Sequence, residues 1–575
     1  MRNQIKGDTI GARHGLLLPG RYRTDLQKWR RGRTRRFIPP AGSSLRLCAV
    51  RHTKFYEGTS VFVTGGTGFV GMALVEKLLR SCPGIRNIFL LVRAFKGKSA
   101  EERAKEMFSN PLFGPLLSHH PKIIEKVIVV PGDVGKDGLG ISPSDMKILK
   151  NEVNIIFNVA ATVRFDEPIK EAFYINVISL KTILALAKSM LNLKAFVHTS
   201  TAFSHCHHSS RLIQEKFYPT PYTESQIETL LNSTDDYTVG CLSRLILGSI
   251  PNAYALTKAM GEEVAQKEMS QLPIAIYRPS IVMNSNKEPL RGWNCSFQGA
   301  GALFLGIGLG ILRAIYVNAT KQAEIVPVDK CASALVAIPW HLHESRKKKG
   351  NLTPIYNHVN NRFPVTWGQT YSYLLYHIRS QKLASKFQVW VMRTSFESNR
   401  FLYNLKFFLY HLLPLPFLTM AERLQNQPAR LHKIYLKMAL LGNVLSDFTQ
   451  NNWNFEDSNI QRLWASMSAP DRHLFDLEIS NNLDWFTYFS CISKGYGLYV
   501  MKETWTDLER SRKKFHTILM LDKMLKFFYQ SNHNLSCVLC RSSTLQAVQS
   551  RYSCSLDSEL VNQLDYFKLP QLSVL

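Results

Sequence analysis

Acidic residues are scarce in this chain. Its 575 residues hold 43 Asp or Glu against 71 Lys or Arg, a formal net charge of +28 at pH 7. The shortage is sharpest in residues 1–54, where 14 Lys or Arg face two acids and hydrophobic periodicity is slight. That segment carries WRRGRTRR from Trp29 to Arg36 and then Pro39-Pro40, and is expected to be a disordered basic arm. Its poverty in acids also resembles a mitochondrial presequence. The residual basicity of the body suits anionic partners: a phosphorylated cofactor, a coenzyme A ester or an acidic membrane surface. No nucleic-acid recognition motif is present, so nucleic acid is not expected as a partner.

Paired cysteines are also lacking. The ten cysteines are scattered and no secretory signal peptide precedes them, which excludes a disulfide scaffold and fits a reducing compartment. Cys537 and Cys540 form a CxxC with His533 and Cys554 nearby, but the spacing is irregular, and free thiols rather than a metal site are expected. A clean apolar run of membrane-spanning length is missing too. Phe297–Leu312 is short, rich in glycine and read as a buried lining. Phe401–Met420 is longer, but Lys406, Pro414 and Pro416 interrupt it. It is expected to form a membrane-embedded or interfacial hairpin, with a transmembrane span as the alternative. The C-terminal Ser-Val-Leu is not a peroxisomal address of the SKL type.

What the chain does have is an ordinary globular composition, 45% hydrophobic and 20% charged, and length for more than one folded unit. From Ser60 a β-branched run leads into Gly65, Gly68 and Gly71 and then into an amphipathic helical pattern. Strand, tight turn and helix start are the layout that offers a dinucleotide pyrophosphate to a helix N-terminus. Gly65 makes the turn, Gly68 lets the backbone approach the phosphates, and Gly71 lets helix and strand pack closely. The next strand, Asn87–Val92, ends at Arg93, with Lys96 and Lys98 following. An acid there would bind the adenosine ribose of NAD, whereas a guanidinium clamps the extra phosphate of NADP. NADPH is therefore the cofactor expected.

Further strand signals, Val127–Val130, Asn154–Phe157 and Ala195–Thr201, alternate with helical stretches such as Ile169–Leu191. The order predicts an α/β fold, a doubly wound parallel-sheet Rossmann domain whose ligands sit beyond the strand ends, near Asp133, Ala160 and Thr201. Then comes Tyr254-Ala-Leu-Thr-Lys258, a Tyr and a Lys on one helix face. A nearby ammonium is expected to lower the phenol pKa from near 10 toward the working range, which suits a proton donor for carbonyl reduction by hydride. Thr201 or its neighbour Ser200 would hold and polarise the oxygen.

TGGTGFVG, Asn158–Thr162, the Ser/Thr strand end and YxxxK together resemble an extended short-chain dehydrogenase/reductase. LLVRAFKGKSAEER, NPLF, AATVRFDE, FVHTSTAF, PNAYALTKAMGEE and YRPSIV narrow this to the fatty acyl-CoA reductase family, in the insect and animal style. NNWNFED (Asn451–Asp457), DRHLFDLE (Asp471–Glu478) and LDWFTYF (Leu483–Phe489) resemble that family's smaller, mainly helical C-terminal domain. The resemblance runs from about Phe55 to about Leu508. It implies a four-electron reduction of a fatty acyl-CoA by NADPH, through an aldehyde, to a primary fatty alcohol. It implies that Tyr254 donates the proton, Lys258 tunes it and binds the nicotinamide ribose, and Thr201 orients the carbonyl with Ser200 in reserve. Gly65, Thr67, Gly68, Phe69, Val70, Gly71, Arg93, Asp133, Val134 and Ala160, with Tyr254 and Lys258, would hold the cofactor. The implied domains are a basic arm (1–54), a reductase domain (55–380), a hydrophobic segment (381–430), a C-terminal domain (431–515) and a tail (516–575). A membrane lipid surface is the further partner expected, at the endoplasmic reticulum with the active site facing the cytosol, the peroxisomal membrane being the alternative; the sequence does not set the oligomeric state. After Gly292-Trp293 the family's usual acid is replaced by Asn294-Cys295-Ser296, and the segment to Leu312 is unusually apolar. That departure leaves open a lipid- or nucleotide-binding member without turnover. A sterol or nucleotide-sugar dehydrogenase of the same superfamily is the other alternative, and it should lack the C-terminal motifs.

Overall fold

The computed structural model describes residues 51–524, apart from 209–211, 298, 349–353, 382, 425–441, 443–444, 480–482, 505 and 508–509, together with residue 527. Residues 1–50 and the Cys537–Cys540 motif lie outside the described residues. Thirteen strands occur among those described. The first five are β1 (Ser60–Thr64), β2 (Asn87–Val92), β3 (Val127–Pro131), β4 (Val153–Asn158) and β5 (Ala195–Thr199). There follow β6 (Leu212–Ile213), β7 (Ile274–Pro279), β8 (Ile281–Met283), β9 (Ala314–Tyr316) and β10 (Ile325–Pro327). The last are β11 (Ile355–His358), β12 (Ser395–Glu397) and β13 (Asn454–Phe455).

Seven of them form one parallel sheet in the order β11-β7-β5-β4-β1-β2-β3, so the strand order reverses between β1 and β4. Alternate residues explain why both faces are covered. Val61 and Val63 of β1, Ile155 and Phe157 of β4 and Ala275 and Tyr277 of β7 point into one core. Phe62, Ile156, Ile274 and Ile276 point into the other. A period of two with both phases apolar is what a sheet clothed by helices on each side demands. On the first face lie α1 (Phe69–Ser81) and the later helix Val328–Lys347. α2 (Ala100–Phe108) flanks the β2–β3 edge, and α3 (Ala253–Glu268) covers the second face.

The C-terminal region is mainly helical. α4 (Gly299–Gly308), α5 (the Val328–Lys347 helix) and α6 (Trp367–Ser380) precede it along the chain, and its described pieces include Ser458–Ser466, Ala469–Leu474 and α7 (Trp485–Gly495). One compact unit runs to Arg510, and a second begins at Ser511, whose described residues 511–524 are helical. Order reaches back into the segment expected to be an arm: Arg51–Phe55 is a short helix. His52 there is fully buried, with Nδ1 2.8 Å from Oδ1 of Asp471 and its ring 4.2 Å from that of Trp340.

No described helix is long and apolar enough to cross a membrane, so the transmembrane alternative for Phe401–Met420 is not met. The segment is instead broken into Arg400–Phe407, a π-turn at Phe408–Leu412 and Leu415–Leu424. One face is pinned to the protein: Lys406 Nζ lies 2.5 Å from Glu397 Oε1, and His411 Nε2 accepts the N–H of Ala314 at 3.3 Å. The other face leaves Phe401, Leu413, Phe417 and Leu424 exposed.

Candidate active site

The turn after β1 is shaped for a backbone-bound anion. Gly65 has φ +71°, and a Cβ there would stand 2.6 Å from the Ala160 nitrogen. At Gly71 a Cβ would meet the Gly65 carbonyl at 2.2 Å, so a side chain at either position would push helix and strand apart. Gly68 is the N-cap of α1 and supplies no side-chain cap, which leaves the first amides of α1 without a side-chain acceptor. Phe69 and Val70 open the helix and are partly buried against the core.

A cationic cluster follows β2. The guanidinium carbons of Arg93 and Arg103 lie 5.0 and 5.9 Å from the Phe95 ring, and Lys96 Nζ lies 5.4 Å from it. Arg103, on α2, also donates to the Arg93 carbonyl at 2.6 Å and to Thr67 Oγ1 at 3.4 Å. Burial and then the like charge of Arg93 lower the Arg103 pKa, with Glu106 and Asp133 opposing. Asp133 folds back on its own loop, accepting the Gly135 N–H at 3.0 Å, and Val134 packs against the second core. The residues fit a dinucleotide carrying an extra phosphate.

At the ends of β1, β4 and β5 a polar ladder fixes the floor. Thr64 Oγ1 donates to Asn158 Oδ1 at 2.7 Å and accepts the Ala160 N–H at 3.2 Å, while Asn158 Nδ2 lies 3.1 Å from His198 Nδ1. Lys258 Nζ donates to the Thr199 carbonyl at 2.6 Å, clamping α3 to the end of β5. Thr201 begins the turn beyond that end, where its Oγ1 accepts the Phe203 N–H at 3.3 Å and its side chain neighbours the Tyr254 phenol. Ser200 is divided from this pair: its Oγ donates to Glu262 Oε1 at 2.5 Å, so its hydroxyl holds the frame and Thr201 alone faces Tyr254.

The expected lowering of the phenol is not seen. Burial pushes Tyr254 up to about 12, with the Thr201 hydrogen bond opposing. Burial likewise brings Lys258 down to about 8, with Glu262 opposing. The reason is geometric: the Lys258 ammonium is spent on the Thr199 carbonyl. Burial and the Lys258 charge hold His198 neutral, down at about 3. Below the site, burial would raise Glu262, but Arg278 and His205 overcome it and keep it ionised. Arg278 Nε reaches Glu262 Oε1 at 2.9 Å and its other nitrogens donate to the carbonyls of Gln214 and Lys216.

Several contributors carry no motif that single-chain reading would flag. Asn176 donates to Thr257 Oγ1 at 2.9 Å and accepts the Thr162 N–H at 3.1 Å, tying the loop after β4 to α3. A lone Asn within the apolar run Tyr174–Ile178 was its one signal. Phe165 stands edge-on to Tyr254 at 5.6 Å and 5.8 Å from Phe448, which in turn meets Phe203 at 5.0 Å. Three distant stretches thus build one aromatic wall beside the phenol.

Two family models, both described as male sterility protein, match the chain: an NAD-binding one over residues 63–335 and a second over residues 410–503. Among curated proteins, the fatty acyl-CoA reductase wat of Drosophila melanogaster is 35% identical over 468 residues, covering 81% of this chain and 89% of that protein. Fatty acyl-CoA reductase 1 of Homo sapiens is 32% identical over 466 residues, with the same coverage of 81% and 89%. Among solved structures, the terminal R domain of the myxalamid biosynthetic pathway shares the fold at 18% identity and TM-score 0.51, covering 76% of this chain and 91% of that one.

Proposed function

The chain belongs to the fatty acyl-CoA reductase family, and from that premise we propose that it reduces a long-chain fatty acyl-CoA to a primary fatty alcohol at the expense of two NADPH, releasing coenzyme A. The single observation that carries this is the grouping of Tyr254, Thr201 and Lys258 at the end of β5, beside a glycine turn and the Arg93–Arg103 pair. Gly65, Gly68, Gly71 and the α1 amides would hold the pyrophosphate, and Arg93 with Arg103 would hold the 2′-phosphate of NADPH, a group that NADH lacks. The bound nicotinamide supplies the hydride, once to the thioester carbon and once to the aldehyde.

The chain's own residues govern the proton. Tyr254 gives its phenolic proton to the oxygen that gains charge, and a phenol that burial holds in its protonated form is suited to donating. Thr201 orients that oxygen toward Tyr254, as donors aimed at developing charge do. Lys258 fixes the strand end that carries Thr201 and, when the ribose is present, offers it an ammonium. The aromatic rings of Phe165, Phe203 and Phe448 keep water away from the reacting carbonyl.

Membrane association is part of the same reading. The apolar outer face of 401–424, with Phe417 75% exposed, suits insertion into one leaflet beside a water-insoluble product. The endoplasmic reticulum, active site toward the cytosol, is the address proposed, and imaging of the tagged full chain tests it.

The deciding assay follows NADPH oxidation with acyl-CoAs of graded length and identifies products by mass spectrometry. Alcohol from the wild type is expected, with Tyr254→Phe slower by about 10²–10⁴-fold. NADPH binding with neither aldehyde nor alcohol at any length would remove the reductase reading.

A further inference from the structure

The apolar segment between Phe297 and Leu312 remains unexplained by the cofactor site. Its second half is one wall of a small, half-open cavity of about 70 Å3. Phe304, Leu305 and Gly308 of α4 and Leu309 just after it line it with Leu374 and Ile378 of α6, and the chain around 496–501 completes the lining. That is room for the end of an alkyl chain rather than for a whole small ligand.

Most of the polar side chains around this space are already paired within the protein, and the charged Lys494 also lines it. Glu503 Oε1 accepts the Ser385 hydroxyl and the Lys386 N–H, both at 2.7 Å. Gln388 Nε2 donates to the Gly308 carbonyl at 3.1 Å and to the Trp390 carbonyl at 2.7 Å. Ser493 Oγ donates to the Ser490 carbonyl at 2.8 Å. A polar ligand would find few partners, whereas an alkyl chain needs none. One exception is directional. The Tyr496 hydroxyl is buried without a partner and lies beside Gly301, at the opposite end of α4 from Gly308 and Leu309.

α4 connects this space to the cofactor site. Shortly before it, the Trp293 ring stacks on Phe69 at 5.3 Å, and Phe69 is the first residue of the helix that follows the glycine turn. From Gly299 to Gly308 the helix advances about 14 Å. α4 thus runs from the Trp293 side, which meets the helix after the glycine turn, to the aliphatic cavity, with the unpartnered Tyr496 hydroxyl beside its first turn.

We propose that this cavity receives the distal end of the substrate's acyl chain, and that the α4–α6 spacing sets the preferred chain length. The inference rests on the reductase reading but adds to it a site and a specificity determinant. Each methylene housed there contributes about a fourfold gain in affinity, so blocking or enlarging the cavity alters long substrates far more than short ones.

Gly308 permits a clean test, because a Cβ there meets only Ile378 Cδ1, at an ordinary 3.6 Å. Gly308→Val should lower the ratio of kcat/KM for stearoyl-CoA to that for decanoyl-CoA by about tenfold or more. Ile378→Ala should raise it. Wild-type protein should also be labelled with palmitoyl-CoA bearing a diazirine at the chain terminus, and the peptides mapped. Label within residues 304–309 or 374–378 supports the site. Label elsewhere, or unchanged ratios in variants that still bind NADPH, overturns it. Photolabelling does not need turnover, so it reads the cavity even if neither thioester yields alcohol, the result that would instead overturn the reductase reading.

Discussion

Lys258 sits where burial favours the neutral amine, bringing its pKa from 10.5 to about 8, with Glu262 opposing the fall. Below about pH 8 it is an ammonium in the folded chain. Between about 8 and 10.5 the unfolded chain holds a proton that the folded one has released, so fold stability rises with pH across that window. On the proposed reading function moves the other way, because the ammonium that Lys258 would offer the nicotinamide ribose is lost. NADPH affinity, followed by fluorescence, should weaken as pH rises through about 8, while Lys258→Met should bind weakly and without that dependence. Arg103 carries a second prediction. Removing its charge with Arg103→Met should raise the KM for NADPH by about 10–100-fold, the worth of one charged hydrogen bond, and leave NADH nearly unaffected. Arg93 was legible because it ends a strand. Arg103 was not, since AEER on a helix reads as solvated charge until the fold turns α2 back over Phe95.

The element that matters most to the frame is α3, which presents Tyr254 and Lys258 and then anchors itself through Glu262 to Arg278 of β7. Both partners are almost fully buried, so removing one strands a charge in the core. Glu262→Gln should cost about 3–5 kcal/mol in urea denaturation, and adding Arg278→Met should restore part of it. The strands of the sheet were readable as short β-branched runs, and β2 matches its expected bounds. Two departures have local causes. Strand β5 stops at Thr199 because Ser200 and Thr201 turn their hydroxyls to Glu262 and Tyr254. The expected single helix from Ile169 contains a π-turn at Tyr174–Ile178, and Asn176 within it binds Thr162 and Thr257.

At the scale of the whole molecule, the described chain is held by contacts between its distant parts. His52 donates its backbone N–H to Asp471 Oδ1 across 419 positions and adds its ring to the same oxygen. Burial would raise Asp471, but His52 and Ser468 hold it down at about 2. Being depressed from 3.8, it contributes stability above that value that is lost as pH falls toward about 2. His52→Ala should lower stability by about 2 kcal/mol at neutral pH, with the difference from wild type shrinking in acid. No local pattern announces such a pairing, and the same holds for the aromatic wall: Phe448 looks like any apolar residue until it meets Phe165 and Phe203.

The pairing of β13 with β6 also sets a timetable. Every strand of the large sheet has left the ribosome by His358, so the nucleotide fold can form while synthesis continues. Phe448 and β13 arrive later, and Glu456, which accepts the Glu215 N–H, lies 241 positions beyond it. At roughly 5–20 residues per second, tens of seconds separate those partners. Until Phe448 is made, the pocket beside Tyr254 lacks one ring of its aromatic wall.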